Sequence, residues 1–471
     1  MDIPQHSLNS KYQPSTELQQ FLQGRKLLFD EIHFEVELIQ EHFENGYVNY
    51  EPGVILHKDV YKCSRCNNQD QNLFLSYSCG RCYTNCHYCR KCITMGRVAE
   101  CTPLVSWKGS YVSFHYESPL SWDGVLSSGQ TVASSEMVQA INSQSEQLLV
   151  WAVCGAGKTE VLFEGISSAL VSGKYCCIAT PRTDVVIELA PRLKQVFPDV
   201  DMTALYGGSE DTRELKPLTL ATTHQLLRFE KAFDVVIIDE VDAFPYSYDE
   251  MLQQAVKAAK KDKCTTLYLT ATPNKRWQKE VGKEKLPCVK IPARYHGHPL
   301  PIPVLKWCGN WKKQLSKKKI PSPIEAWIRE KLNQQKQSFL FVPSIELLES
   351  LIPLLKDIHP EIETVHSQDS LRKEKVARFR NGEIPLLVTT TILERGVTVP
   401  NTDVAVFGAD DHVFTESALV QISGRVGRSA KFPTGEIVFF HFGKTSAMIA
   451  AKAQIEQMNK LAVNQGLIKE V

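Results

Sequence analysis

Lys158 and Thr159 close the run Ala152-Val153-Cys154-Gly155-Ala156-Gly157-Lys158-Thr159. A glycine-bearing loop that ends in Lys-Thr is built to hold a polyphosphate. Gly155 and Gly157 let the backbone come close to an anion that a Cβ would keep away, and Ala156 lies between them in the cradle. The loop follows an apolar run and precedes a helical pattern, so its amides and the helix N-terminus face the phosphates. Lys158 neutralises charge on the β- and γ-phosphates, and Thr159 offers a hydroxyl to magnesium. Ala152 stands where the usual loop has its first glycine, which costs no phosphate contact. Downstream, Asp239 ends the apolar run Val235-Val236-Ile237-Ile238. A carboxylate at the carboxyl edge of a buried parallel strand sits where ligands bind and is placed to hold magnesium. Glu240, next to it, is the residue to orient an attacking water. The chemistry expected is hydrolysis of ATP with Mg2+. Gln130, upstream of the loop, is placed to read the adenine edge, or is an ordinary surface glutamine.

Arg425 and Arg428 lie three apart in the glycine-punctuated segment Gln421-Ile422-Ser423-Gly424-Arg425-Val426-Gly427-Arg428. A departing γ-phosphate needs positive charge, and an arginine brought from a second domain supplies it only when two lobes close. Further short strings stand in between: Thr180-Pro181-Arg182, Gly207-Gly208, Thr222-Thr223-His224-Gln225, Thr270-Ala271-Thr272 and Thr390-Thr391-Ile392-Leu393-Glu394-Arg395-Gly396-Val397-Thr398. Taken in order, they resemble the loops of superfamily-two helicases and translocases over residues 130–445. Small hydroxyls and amides at such loops suit phosphate contacts, which grip a strand without reading it. Arg182, Thr223, His366 and Thr390 are expected to line a path for single-stranded DNA.

Fourteen cysteines would suit a secreted disulfide scaffold, but seven of them fall between Cys63 and Cys92. Clustering of this kind beside a nucleotide loop reads as a metal site in a reducing, cytoplasmic setting. Cys63-Ser-Arg-Cys66 and Cys89-Arg-Lys-Cys92 form two knuckles with 22 residues between them, within reach of one tetrahedral Zn2+ site. Cys79, Cys82 and Cys86 over-supply that ion and are left unassigned. Arg65, Arg81, Arg90, Lys91 and Arg97 favour thiolates, and are also placed to touch nucleic-acid phosphate. The tract Lys306–Lys319, with Trp307 and Trp311 among lysines, reads first as a solvated linker and second as a stacking surface for bases.

The elements that must position these groups follow from hydrophobic pattern. Residues 130–295 alternate strand-length apolar runs (Leu148–Val153, Cys176–Thr180, Asp234–Asp239, Thr265–Thr270) with helical patterns (Lys158–Ser172, Val185–Phe197). The pattern resumes over 324–471 with Ser338–Val342, Thr364–His366, Leu386–Thr390, Asp403–Phe407 and Glu436–Phe442. Strand–helix repetition of this kind predicts an α/β protein with two RecA-like parallel-sheet domains. They are preceded by a short helical region (1–55), a zinc-binding module (56–101) and a connector (102–129), and joined by a linker (296–323). Net charge is +1 over 471 residues, so a nucleic-acid partner must be met by a local stripe and not by the whole surface. The N-terminus carries no secretory pattern, and no apolar run approaches a membrane span. Contact with a membrane is expected only through partners.

A zinc module that precedes the motor is distinctive. The combination of Cys63/Cys66, Tyr88-Cys89-Arg90-Lys91-Cys92-Ile93-Thr94-Met95-Gly96-Arg97-Val98, Val150-Trp151-Ala152, Asp239-Glu240-Val241-Asp242-Ala243-Phe244-Pro245 and Thr391–Thr398 resembles the ComFA family, late-competence DNA translocases of Gram-positive bacteria, over residues 55–465. The resemblance implies a cytosolic ATPase that pulls transforming single-stranded DNA inward at the ComEC membrane channel, working with ComFC and DprA. It also implies that Cys63, Cys66, Cys89 and Cys92 are the zinc ligands, with Cys79, Cys82 and Cys86 as additions of this chain. Two other functions fit the residues: a superfamily-two DNA or RNA helicase in repair, replication restart or RNA remodelling, with an RNA helicase the nearest rival, and an ATP-gated platform that grips DNA without moving along it. A zinc-organised assembly factor with a vestigial ATPase fits less well, because Lys158, Glu240 and Arg428 are all in place.

Overall fold

The computed structural model describes residues 3–209, 214–393 and 399–468. The first lobe is a seven-stranded parallel sheet. From edge to edge its strands are Met202–Leu205, Leu218–Thr222, Cys176–Thr180, Phe233–Ile238, Lys260–Thr270, Gln147–Ala152 and Cys288–Ile291. The second is a six-stranded parallel sheet in the order Val304–Trp307, Ile437–His441, Asp403–Phe407, Ser338–Phe341, Leu386–Thr389, Glu363–Val365.

The central strands are mostly apolar because both sheet faces are covered. Along Phe233–Ile238, Val235 and Ile237 enter one core while Val236 and Ile238 enter the other. In the second lobe Phe339 and Phe341 face one core, Leu340 and Val342 the opposite one. This is the two-residue alternation of a pleated strand, and each buried side chain of this size contributes about 1.5–3 kcal/mol.

The expected linker, 296–323, differs in the structure. Val304–Trp307 forms the edge strand of the second sheet, and Trp311 is buried against Phe407, its Nε1 donating to Asp410 at 3.0 Å. The four-residue strand lies among prolines and lysines, which masked its pattern. Trp311 therefore belongs to the core, while Trp307 stays exposed.

The N-terminal region holds the helices Thr16–Leu22 and Val36–Glu44, and also two short strands. Lys26–Leu28 and Val48–Pro52 flank Pro103–Trp107, which the sequence placed in the connector. The cysteine module is inserted between these paired strands. It consists of the hairpin Val54–His57/Val60–Cys63 and the sheet Phe74–Ser78, Asn85–Cys89, Val98–Ala99. Val54, Phe74, Met95 and Val98 share a single apolar cluster with Tyr175, Leu226, Phe229 and Phe233 of the first lobe. Arg228 of that lobe meets Glu31 at 2.6 Å at the same seam.

The last helix, Ser446–Asn464, returns from the second lobe to the first. Ile455 and Met458 join the first lobe's core, and Gln454 donates to Ala271 O at 2.8 Å. No helix among the described residues is long and apolar enough to cross a membrane.

Candidate functional site

The loop after Gln147–Ala152 turns through Gly155 at φ +81° and Gly157 at φ +70°, both left-handed, and the helix Lys158–Val171 begins directly after it. A Cβ on Gly157 would come within 2.4 Å of Gln130 Nε2. Gln130 is buried there. Its Nε2 donates to Ala156 O at 2.9 Å and Gly157 O at 3.2 Å, while its Oε1 accepts from Ser127 N at 2.8 Å. Holding those two carbonyls inward turns the following N–H groups, of Gly157 and Lys158, to the other side of their trans peptides. Both ends of the Gln130 amide are thus engaged with protein groups, in place of the open edge expected for reading adenine. Lys158 and Thr159 are half-buried at the start of the helix.

Asp239 extends the strand Phe233–Ile238 by one residue. Its N–H donates to Ala179 O at 2.9 Å, and its Oδ1 accepts from Glu240 N at 2.9 Å. Glu240 adopts φ +53°, the left-handed region, so the chain turns sharply at the second carboxylate. Asp242 gathers hydroxyls from both lobes. It accepts from Thr270 Oγ1 and Thr272 Oγ1, each at 2.6 Å, and from Ser417 Oγ of the second lobe at 3.1 Å. Thr272 and Ser417 are themselves 2.8 Å apart. The string Asp239–Asp242 is thereby tied to Thr270-Ala271-Thr272 and, through one serine, to the opposite lobe. A cleft of about 1120 Å³ opens beside this network, lined by Asp242, Thr272 and Trp277 on one side and Asp410, Phe414 and Ser417 on the other.

The helix Glu416–Ser423 brings the arginine segment onto the phosphate loop. Cys154 Sγ donates to Gln421 Oε1 at 3.2 Å, and a Cβ on Gly424 would lie 2.3 Å from Cys154 Cβ. Only glycine allows this approach of loop to loop. Arg425 is buried with its guanidinium 5.5 Å from the Phe339 ring, and Arg428 Nε donates to Gly424 O at 2.8 Å. A third arginine completes the seam. Arg294, buried after the strand Cys288–Ile291, donates from Nε to Cys154 O at 3.1 Å and from Nη1 to Val426 O at 2.6 Å; Nη1 also reaches Gly427 O. Burial pulls its guanidinium down to about 10, and the nearby Arg428 charge acts in the same direction. Arg294 stays protonated at neutral pH and staples the two lobes at the phosphate loop.

The four residues expected along the nucleic-acid path fall into two pairs at strand ends. Thr180 pairs with Thr222, so Arg182 and Thr223 emerge from adjacent strands, and Thr223 N donates to Thr180 O at 2.9 Å. Val365 pairs with Thr389, so His366 and Thr390 emerge side by side in the second lobe. Arg182 forms a two-point contact with Asp184, at 3.1 and 2.5 Å. Thr223 is fully buried and Thr390 nearly so, whereas His366 is half-buried. Thr223 therefore offers no surface to a strand in this arrangement, and Thr390 little. Glu394 to Thr398 of the segment that follows Thr390 lie outside the described residues.

Cys63, Cys66, Cys89 and Cys92 converge. Their sulfurs lie within 4.8 Å of one another and all four are buried. Asn67 N donates to Cys63 O at 2.9 Å and Cys63 N to Asn68 O at 3.0 Å, which closes the first knuckle around a left-handed Asn67. Hydrogen bonds from the other three thiols hold Cys92 well below the usual thiol range, and the Arg65 charge adds to this. Arg65 itself is buried. It donates to Met95 O and Cys92 O at 2.8 Å, to Gly96 O at 2.6 Å and to Cys92 Sγ at 3.3 Å. It braces the site and is not available to DNA phosphate, contrary to the sequence expectation. Arg81 pairs with Asp30 at 2.7 Å and Arg97 stacks on Tyr77, whereas Arg90 and Lys91 of the second knuckle make no such side-chain contact among the described residues. Four thiols and nothing else in the donor set fit a structural zinc site.

Sequence reading missed Arg294, which lies in an unremarkable Pro-Ala-Arg-Tyr, and Ser417, one of many helix-opening serines. Neither carries a spacing signal. Their roles exist only because the lobes meet. Cys101 was visible but stood alone, nine residues after Cys92.

Two parallel-sheet lobes with a phosphate loop on one and a glycine–arginine segment on the other define a superfamily-two helicase-like ATPase. Three family models match in order. The competence protein ComFA N-terminal domain covers residues 10–106, the type III restriction enzyme res subunit 124–275, and the helicase conserved C-terminal domain 322–430. The chain belongs to the ComFA family of competence proteins. It is 51% identical to competence protein ComFA of Bacillus subtilis (strain 168) across 98% of both chains. It is 39% identical to competence protein ComFA of Streptococcus pneumoniae, across 80% of this chain and 86% of that one. Saccharomyces cerevisiae Dbp5 bound to RNA and ADP BeF3 shares the fold, with a TM-score of 0.52 at 15% identity over 71% of this chain and 88% of that one.

Proposed function

We propose that this protein is an ATP-driven single-stranded DNA translocase that draws transforming DNA into the cytosol during natural competence. One observation carries the reading: the second lobe delivers Gly424 to Arg428 directly onto the phosphate loop of the first. Lys158, Thr159 and Asp239 hold ATP with Mg2+, which supplies charge neutralisation on the phosphates when bound. Glu240 orients the attacking water. Arg425 and Arg428 face developing charge only while the lobes are closed, so hydrolysis and lobe motion are coupled. The strand ends carrying Arg182, Thr223, His366 and Thr390 form a grip on each lobe, so closing the lobes changes the distance between two holds on one strand. Family membership supports the ComEC channel, ComFC and DprA as partners at the inner face of the membrane.

The reading is tested by measuring ATP turnover against single-stranded DNA of increasing length and against RNA of equal length. Turnover that rises with DNA length supports a translocase. Equal stimulation by RNA would replace it with an RNA helicase, and one ATP per binding event at every length with a static grip.

Ser417→Ala removes a hydroxyl of the second lobe that donates to Asp242. At about 0.5–1.5 kcal/mol for a lost hydrogen bond, DNA-stimulated turnover falls about 2- to 10-fold, with basal turnover little changed. An equal drop in both rates would mean that the contact does not link the lobes. Cys89→Ser lowers zinc by about one ion per chain, since a closed thiolate site depends on all four ligands. It also exposes residues 54–101 to protease, whereas the nucleotide site still binds ATP. Unchanged zinc in elemental analysis would show that the ligand set is different.

A further inference from the structure

Among the described residues a second group of four cysteines stands apart from the first. Cys79, Cys82, Cys86 and Cys101 have all their sulfurs within 4.8 Å of one another. In a tetrahedral site with Zn–S bonds of about 2.3 Å, sulfurs lie about 3.8 Å apart, which such a cluster reaches by small rotations of its side chains.

The backbone at Cys79-Gly80-Arg81-Cys82 repeats the first knuckle. Tyr83 N donates to Cys79 O at 3.0 Å and Cys79 N to Thr84 O at 2.9 Å, as Asn67 and Asn68 do around Cys63. The residue after the second cysteine is left-handed in both: Asn67 at φ +59° and Tyr83 at φ +55°. For an asparagine this conformation is common. For a tyrosine that is 90% exposed it has no packing to recommend it. The turn is therefore imposed by what the two flanking cysteines must do.

The other two ligands come from the framework of the module. Cys86 and Cys89 lie three apart on the strand Asn85–Cys89 and so project from opposite faces, Cys89 into the first cluster and Cys86 into the second. Cys101 follows the strand Val98–Ala99, which pairs with Tyr88 and Cys89. Tyr77, opposite Cys86 on the neighbouring strand, places its hydroxyl 3.6 Å from Cys79 Sγ, a donor suited to a metal-bound thiolate. Arg97 lies over the Tyr77 ring at 4.5 Å, a positive charge beside a site whose four thiolates would exceed the charge of one divalent ion.

We infer that Cys79, Cys82, Cys86 and Cys101 form a second zinc site, so that the module holds two Zn2+ ions on the two faces of one strand. Each thiol gives up its proton to solvent as the ion binds, with no change in oxidation state. Cys82 and Cys101 are partly exposed, whereas the first cluster is wholly buried, so the outer ion exchanges faster.

The test is the metal content of the full-length protein prepared with reductant and excess zinc, then desalted. Elemental analysis and native mass spectrometry are expected to give two zinc ions per chain. A chromogenic chelator should release them in two phases of equal size. Cys101→Ser and Cys82→Ser each abolish the fast phase and leave one ion, and Cys63→Ser abolishes the slow phase instead. One zinc per chain in the wild type would overturn the proposal. So would two ions that persist when Cys82 and Cys101 are both serine, or a wild-type mass four protons low, which marks two disulfides. The wild-type stoichiometry and release phases decide the matter even if a variant fails to fold.

Discussion

Glu240→Gln lowers the kcat of ATP hydrolysis by about 10²- to 10⁴-fold, the range that a positioned general base contributes. The substitution keeps size and hydrogen-bonding shape and removes only the negative charge. Asp239, which takes the Glu240 N–H at 2.9 Å, keeps that contact because it is made by the backbone. Nucleotide therefore still binds, and the lobes close on it without turnover. Two measurements separate the outcomes: phosphate release in a single turnover, and the affinity of a fluorescent ATP analogue. Cells carrying this variant should bind labelled DNA at the surface and fail to bring it inside. A kcat within about threefold of wild type would remove Glu240 from the reaction.

Lys158→Ala acts one step earlier. Lys158 opens the helix that follows the loop and is half-buried there, and in the proposed reading its charge serves the phosphates. Removing one preorganised donor at a developing anion costs about 10²- to 10³-fold in kcat, and here binding weakens as well because the ground-state phosphates lose the same charge. The protein should still fold, since the loop is held by Gln130 and Arg294 and not by Lys158. Thermal unfolding without nucleotide should match wild type, and the stabilisation by added ATP should vanish. Wild-type turnover in this variant would dissolve the nucleotide-site assignment.

Much of the architecture was legible in the sequence because both sheets are buried on two faces. Such strands are written as short, almost purely apolar runs, and Cys176–Thr180, Asp403–Phe407 and their neighbours stood out for that reason. The strands that escaped notice are edge strands or lie close to an edge. Val304–Trp307 and Lys26–Leu28 are short and carry polar neighbours, so local pattern was too brief to register. The phosphate loop and the carboxylates were legible because chemistry restricts residue type at close spacing. Arg294, Ser417 and the Cys79–Cys101 cluster were not. Arg294 and Ser417 take their meaning from partners more than 100 residues away, and Cys101 from thiols 15 to 22 residues before it, and only the folded chain supplies those. Gln130 and Arg65 teach the converse lesson. Both were noticed for functional atoms that the fold turns inward to brace the very sites they were expected to serve.

The apolar cluster that runs unbroken from Val54, Phe74 and Met95 into Tyr175, Leu226 and Phe233 leaves no joint between the cysteine module and the first lobe. In the proposed translocase the pair would serve as a stator. A second lobe drawn inward by nucleotide would recoil against this combined body, and whatever the module is moored to would receive it. A free ATPase would spend each stroke on its own tumbling. One moored through its metal-bound head would hand the displacement to the strand.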